Sequence, residues 1–469
     1  MQHHQQTQFL ISHFRMTAQS ATTQKLDMEL DIIGQQPLMT EIYTQISFVF
    51  PVTDDSTHPA IIDTFNKGLQ RLSEAFAWVA GQVKKTETDA LRITPFEEIP
   101  RMIVKDLRDD PSAPTMEGLR KADFPMKMFD ENVVAPRKTL PIGISPDEPS
   151  PVLIFQLNFI QGGIIFTVNG QHACMDMTGQ DEITRLLSKA CRNGEFTEAE
   201  IKVMTLERKG LVPLIDDYQL DNELKHQVVK PPSTDSAPTP PKASWAFFSF
   251  SPEALSELKD EATHTLQDGV DGAAKPKFIS TDDALSAFIW QCTSRARLPR
   301  VEESARTLFC RAVDVRTQLD VPADYPGILQ NMAYSSSTLS QTANEPLGAV
   351  ASRLRSQLDR ESLRRRTQAF VSHIAKHPGV LSVTADANPS TDIMLSSWAK
   401  TGWWNYDFGL GLGKPESVRR PIFEPMESLM YLMPKRPDGE ITAALSLRDE
   451  DMERLKDDEK WTKFGRFIG

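Results

Sequence analysis

The sequence predicts an α/β protein built as two domains of similar size joined by a crossover linker. Three observations carry that prediction. Strand-like and helix-like segments alternate along the chain, the pattern of an α/β fold. The 469 residues exceed what one hydrophobic core organises. The stretch "KPPSTDSAPTPPKAS" (230–244) is dense in Pro, Ser and Thr, cannot pack a core and reads as a linker. After it a similar order of elements begins again. The expected division is a disordered extension over 1–25, an N-terminal domain over 26–229, the linker over 230–244 and a C-terminal domain over 245–469.

Each element follows from its local pattern. "EIYTQISFVFPV" (41–52) is rich in β-branched and aromatic residues and reads as a strand. Ile61, Phe65, Leu69, Leu72, Phe76 and Val79 recur at helical spacing and predict one amphipathic helix over 61–83. "PVLIFQLNFI" and "GGIIFTVNG" are two strands joined by a short "QGG" turn, and "DEITRLLSKACR" (181–192) restores the helical period. Beyond the linker, "SWAFFSF" is a strand and "SPEALSELKDEATHTL" a helix with a serine N-cap. "STDDALSAFIWQCTSRAR" is a capped helix, and "TLFCRAVDVRTQL" a strand entering a loop.

Composition narrows the function classes. With 40% hydrophobic and 25% charged residues the chain reads as soluble and globular. A net charge of −12 argues against a nucleic-acid binder, which needs a basic face, but leaves room for a small anionic ligand held by local cations. Cys174, Cys191, Cys292 and Cys310 lie far apart without a CxxC pair, so neither a metal site nor a disulfide framework is expected. The opening residues, with His3, His4 and His13, read as a solvated tail whose apolar "FLI" is too short for a signal-peptide core. No stretch approaches the ~20 apolar residues of a membrane span. The expected location is the cytoplasm.

"NGQHACMDMTGQ" (169–180) sets His172 and Asp176 four residues apart, directly behind a strand. The same spacing recurs in "THTLQDG" at His264 and Asp268, and with nine histidines chance alone supplies such pairs. His264 lies in a polar stretch running into a Gly- and Ala-rich loop, and reads as a solvated helix end. His172 sits between a buried strand and a helix, among Gly170, Ala173 and Gly179, where rigid elements can aim a side chain into a cleft. On the residues alone a merely structural histidine remains open. Asp176 could orient the ring, as in a triad.

A second signal is "SSWAKTGWWNYDFGLGLGKPESVRRPIF" (396–423). It is no kinase DFG, because the glycine-rich loop and HRD sequence are missing. It is no P-loop, because Phe408 and Pro415 stand where Gly and Ser or Thr are required. Nor is it a dinucleotide fingerprint, which needs a βαβ setting. A tight loop in which Gly409, Gly411 and Gly413 adopt angles other residues avoid is the plain reading.

HxxxD in mid-chain followed by DFGxGxxKP towards the C-terminus resembles the paired signature of the BAHD acyl-CoA-dependent acyltransferases. "STDDALSAFIWQCTSRAR", "AVDVRTQL", "DYPGILQN" and "LSSWAK" follow in that family's order, and the resemblance spans about residues 25–469. More closely, "KDLRDDPSAPT", "FDENVVAPRKTLPIG", "NGQHACMDM" and "YDFGLGLGKPESVRRPIFEP" are similar to the fungal trichothecene 3-O-acetyltransferases, a divergent branch. Met177 replaces the usual glycine after the aspartate and Leu410 the usual tryptophan, departures that put a plant-like phenolic substrate in doubt.

The resemblance implies a chloramphenicol-acetyltransferase-like pair of domains with the active site in a tunnel between them. It implies acetyl-CoA as co-substrate, with no permanently bound cofactor, and the C3 hydroxyl of a trichothecene as acceptor. His172 becomes the general base. Asp176, paired with Arg316 of the "DxR" block, becomes structural, as do Asp407, Gly409 and Gly411. The pantetheine arm of CoA would pass Ser280, Thr281, Ser396 and Ser397, with Lys259, Arg419 and Arg420 nearest its phosphates. A monomer without nucleic-acid or membrane partners is implied. The alternatives are the same chemistry on another fungal terpenoid or polyketide alcohol, and a catalytically idle relative that binds a ligand. An acyl-cysteine route through Cys174 is disfavoured, since nothing marks it as an activated thiolate.

Overall fold

The computed structural model describes residues 26–36, 39–87, 90–140, 148–221, 224–228, 241–266, 276–377, 380–383 and 387–469. The extension over 1–25 and most of the linker lie outside the described residues, as does Asp268.

Two large mixed sheets organise the molecule. A five-stranded sheet runs Ser417–Arg419, Tyr43–Pro51, Gly163–Gln171, Leu153–Ile160, Arg101–Asp106. A seven-stranded sheet runs Gln330–Thr338, Arg306–Asp314, Ile393–Ser397, Leu429–Leu432, Ile441–Arg448, Ala243–Phe250, Gly465–Phe467. A small three-stranded sheet joins Met28–Glu29, Leu91–Thr94 and Gln82–Lys85.

In the five-stranded sheet alternate residues face opposite ways. Phe48, Phe50, Phe155 and Phe166 form one face and pack with Phe65, Leu69, Ile183 and Leu187 of the helices His58–Ala75 and Met177–Cys191. The opposite face carries Gln45, Ser47, Gln156, Thr167 and Asn169, all buried. An alternating pattern normally marks a half-exposed strand; here the polar face is covered too, and hydrogen bonds such as Ser47 Oγ to Thr167 Oγ1 at 2.8 Å satisfy part of it.

Two expectations are corrected. The helix predicted over 61–83 spans His58–Ala75; at Phe76 the backbone turns (φ −137°, ψ 73°) into a short 3-10 turn, and Gln82–Lys85 is a strand. Phe76 and Val79 remain buried, so their apolar spacing survives without the helix. The linker reading over 230–244 also runs too far, since Ala243 and Ser244 already pair with Arg448 and Leu447. Nor does that point keep the halves apart. Ser417–Arg419 pairs with Ser47–Val49, and Trp398, Trp403 and Phe408 join the core of the N-terminal half.

Candidate active site

His172 follows the strand Gly163–Gln171, and its loop ends where Asp176 caps the helix Met177–Cys191 by accepting from Gly179 N at 2.9 Å. Gly179 allows this helix start to meet the other half closely: a Cβ there would lie 2.1 Å from Pro326 O. Across that contact Arg316 donates twice to Asp176, Nη1 to Oδ2 at 2.9 Å and Nη2 to Oδ1 at 2.8 Å. Leu329 N also donates to Asp176 Oδ2 at 2.9 Å. Arg316 is completed by Tyr325 O, Gly327 O and Asp314 Oδ1. Both partners are buried. A buried carboxylate with each oxygen committed in this way is a clamp between the halves.

The imidazole is held differently. Its Nδ1 donates to Met175 O at 3.1 Å, which fixes the proton on that nitrogen and leaves Nε2 with a lone pair in the neutral ring. Gln330 Nε2 approaches Nε2 at 3.5 Å from the opposite half. Desolvation by the surrounding protein lowers the pKa of the half-buried imidazole; the carbonyl of Met175 and the charge of Asp176 oppose this, and Arg420 reinforces it. The ring is therefore neutral near pH 7, as a base must be.

The loop that carries the ring has its own support, invisible in the sequence. Arg208 donates to Cys174 O at 2.6 Å and to Asp31 Oδ2 at 3.1 Å, while Tyr325 OH donates to Asp31 Oδ1 at 2.6 Å. Burial raises the Asp31 pKa against the pull of Arg208. Asp31 and Arg208 stand 177 positions apart, and no motif joins them. Cys174 is buried, and desolvation pushes its thiol up to about 12, which removes it as a thiolate nucleophile.

The second motif docks on the same helix that Asp176 caps. Ser188 Oγ donates to Asp407 O at 2.9 Å, and Tyr406 OH donates to Asp181 Oδ1 at 2.7 Å. Asp407 Oδ1 accepts from Gly409 N at 2.8 Å, and Gly409, Gly411 and Gly413 have φ of +69°, +75° and +72°. Phe408 enters the core against Phe48, Phe50, Phe65 and Phe166. Both signatures thus converge on the helix Met177–Cys191.

The residues expected along CoA fall into separate groups. Ser280 caps the helix Thr281–Arg297 in a capping box with Asp283. Ser397 Oγ donates to Asp282 in the first turn of that helix, so Ser280, Thr281 and Ser397 come together, and Ser396 Oγ accepts from Trp398 Nε1 at 3.0 Å. Lys259 is exposed on the helix Pro252–His264. Arg419 and Arg420 are corrected: both are 1% exposed and present no open face to a phosphate group. Arg419 lies over Phe247 and donates to Phe124 O at 3.0 Å. Arg420 lies among Trp398, Phe423 and Tyr431 at 5.6, 4.3 and 4.8 Å from their ring centres. Burial lowers both pKa values.

Along the strand that starts at Gln330, Met332 and Tyr334 line a cavity of about 290 Å3 with Leu224, His226 and Gln227. Among the described residues no group of His, Cys, Asp and Glu could hold a metal ion, and no helix is long and apolar enough to cross a membrane.

The imidazole with its open nitrogen lies where the two halves of the chain meet. Residues 126–462 match the Transferase family and residues 42–191 the trichothecene 3-O-acetyltransferase-like N-terminal domain; the chain belongs to the Transferase family. It is 63% identical to the trichothecene 3-O-acetyltransferase TRI101 of Fusarium sporotrichioides, over 97% of this chain and 100% of that one. It is 49% identical to the O-acetyltransferase dmxR13 of a Cryptosporiopsis species, over 96% and 100% respectively. The crystal structure of Fusarium graminearum TRI101 complexed with coenzyme A and deoxynivalenol matches with a TM-score of 0.91 at 59% identity, covering 95% of this chain and 100% of that one.

Proposed function

We propose that the protein transfers the acetyl group of acetyl-CoA to the C3 hydroxyl of a trichothecene, with His172 as general base. The observation that carries the chemistry is the open Nε2 of a desolvated imidazole whose other nitrogen is tied to Met175 O. The acceptor hydroxyl gives its proton to Nε2 as its oxygen attacks the acetyl carbonyl carbon. The tetrahedral adduct then expels the CoA thiolate, which recovers that proton from the imidazolium. No covalent enzyme intermediate is required, and base catalysis of this kind contributes ~10²–10⁴-fold. Acetyl-CoA is a co-substrate that leaves as CoA.

The acceptor rests on the full-length similarity to TRI101. The arm of CoA passes the Ser280, Thr281, Ser396 and Ser397 group, with Lys259 towards its phosphates. The enzyme works as a cytoplasmic monomer. A second reading keeps the chemistry but changes the alcohol to another fungal terpenoid or polyketide. Incubation with acetyl-CoA and a panel of 3-hydroxy trichothecenes separates the two. Product mass rising by one acetyl group, with one free thiol released per turnover, supports the first. No product from deoxynivalenol or isotrichodermol, beside rapid acetylation of an unrelated alcohol, supports the second.

A further inference from the structure

Gln330 opens the edge strand of the seven-stranded sheet, pairs with Asp314, and reaches across the junction towards the base. Its neighbours Leu329 and Asn331 are buried, whereas Gln330 is only half-buried. One carboxylate fixes the geometry of both groups: Asp176 caps the helix that follows the His172 loop and accepts from Leu329 N, next to Gln330.

Because Nδ1 of His172 carries the hydrogen donated to Met175 O, the lone pair on Nε2 is met by the NH2 end of the Gln330 amide. At 3.5 Å the contact is long for a hydrogen bond, so it leaves the lone pair available. An alcohol that passes its proton to Nε2 has to place its oxygen at this gap, about 2.8 Å from the ring nitrogen. That oxygen has two lone pairs, one to attack the acetyl carbon and one to accept a hydrogen bond.

We propose that Gln330 is a further catalytic residue, whose side-chain NH2 donates to the acceptor's hydroxyl oxygen and thereby aims its O–H bond at His172 Nε2. The proposal rests on His172 being the base. During transfer the O–H proton moves to Nε2, the oxygen's free pair forms the C–O bond, and Gln330 gives up no proton. A neutral amide suits this position. A carboxylate there would hold the imidazolium and a cation would suppress the base further, whereas glutamine orients without altering the charge.

The charged groups acting on the ring are Asp176 from its own loop and Arg420 from the segment following Ser417–Arg419, so a new charge at position 330 has a readable effect. The experiment compares Gln330→Ala, Gln330→Glu and His172→Ala with acetyl-CoA and deoxynivalenol. The measurements are kcat/KM against pH, CoA affinity and the unfolding midpoint. Gln330→Ala should lower kcat/KM for the acceptor by about tenfold, the worth of one hydrogen bond, with CoA affinity and unfolding midpoint unchanged. Gln330→Glu should move the acid limb up by about one pH unit, a shift that loss of packing does not produce. A folded Gln330→Ala enzyme with wild-type kcat/KM overturns the proposal. So does a Gln330→Glu enzyme with an unmoved acid limb, and this nearly isosteric variant decides alone should the alanine variant fail to fold. Retained activity in His172→Ala would instead overturn the base assignment itself.

Discussion

His172 and His264 each stand four residues ahead of an aspartate, and in each ring Nδ1 is bonded to a backbone carbonyl, Met175 O at 3.1 Å and Asp260 O at 2.7 Å. Local sequence therefore fixes the same ring tautomer twice. The surroundings of Nε2 separate them. His264 is exposed at the last turn of a surface helix, in water. His172 lies where a strand of one sheet gives way to a helix clamped to the other half, and its Nε2 faces Gln330. Spacing supplies a histidine with an available nitrogen; only the meeting of two distant segments gives that nitrogen the setting that the proposed base requires.

Variants break this comparison in order of expected effect. His172→Ala should lower kcat by at least ~10²-fold while CoA binding and folding persist, measured by steady-state kinetics and calorimetry. Asp176→Asn removes the buried one of the two carboxylates that pair with Arg316 and leaves only the half-exposed Asp314, a loss of up to about 3–5 kcal/mol, so the unfolding midpoint should fall along with the rate. A fully stable but inactive Asp176→Asn protein would assign the carboxylate a direct role on the ring. Phe408→Ala empties a site lined by four phenylalanine rings and should cost about 3–5 kcal/mol in denaturant unfolding, with activity lost only as the helix Met177–Cys191 loosens. Cys174→Ala should keep kcat within a few-fold, because a thiol with a pKa of about 12 supplies no nucleophile at neutral pH. His264→Ala, the smallest perturbation, should match wild type in both rate and stability.

What the sequence made legible was whatever depends on neighbours along the chain. The strands at 43–51 and 163–171, the serine caps at Ser251 and Ser280, and the left-handed glycines Gly409, Gly411 and Gly413 follow from local pattern. So does the exposed helix-end setting of His264. The end of the first long helix at Ala75 was not legible, because Phe76 and Val79 stay buried with or without helical backbone. The interior position of Arg419 and Arg420 was hidden for another reason. Two adjacent arginines read as a surface pair until aromatic rings from the strands Ala243–Phe250 and Leu429–Leu432 close over them. Asp31 and Arg208 carry no local signature at all, and Gln330, though it lies in the "DYPGILQN" block, gives no sign in sequence of facing His172. Each acquires its place only when segments far apart in sequence converge on the His172 loop.

The central claim, a neutral desolvated imidazole acting as the base, is tested most directly by the pH dependence of kcat/KM for the wild-type enzyme. Burial lowers the His172 pKa, and the ring is active only when unprotonated. The rate must therefore fall as pH drops through that lowered value, with a half-maximal point below the ordinary imidazole value of about 6.5. A single acid limb below that point, lost in His172→Ala, is the predicted result. A limb near the ordinary thiol range of about 8.5, or one that persists without His172, would contradict it.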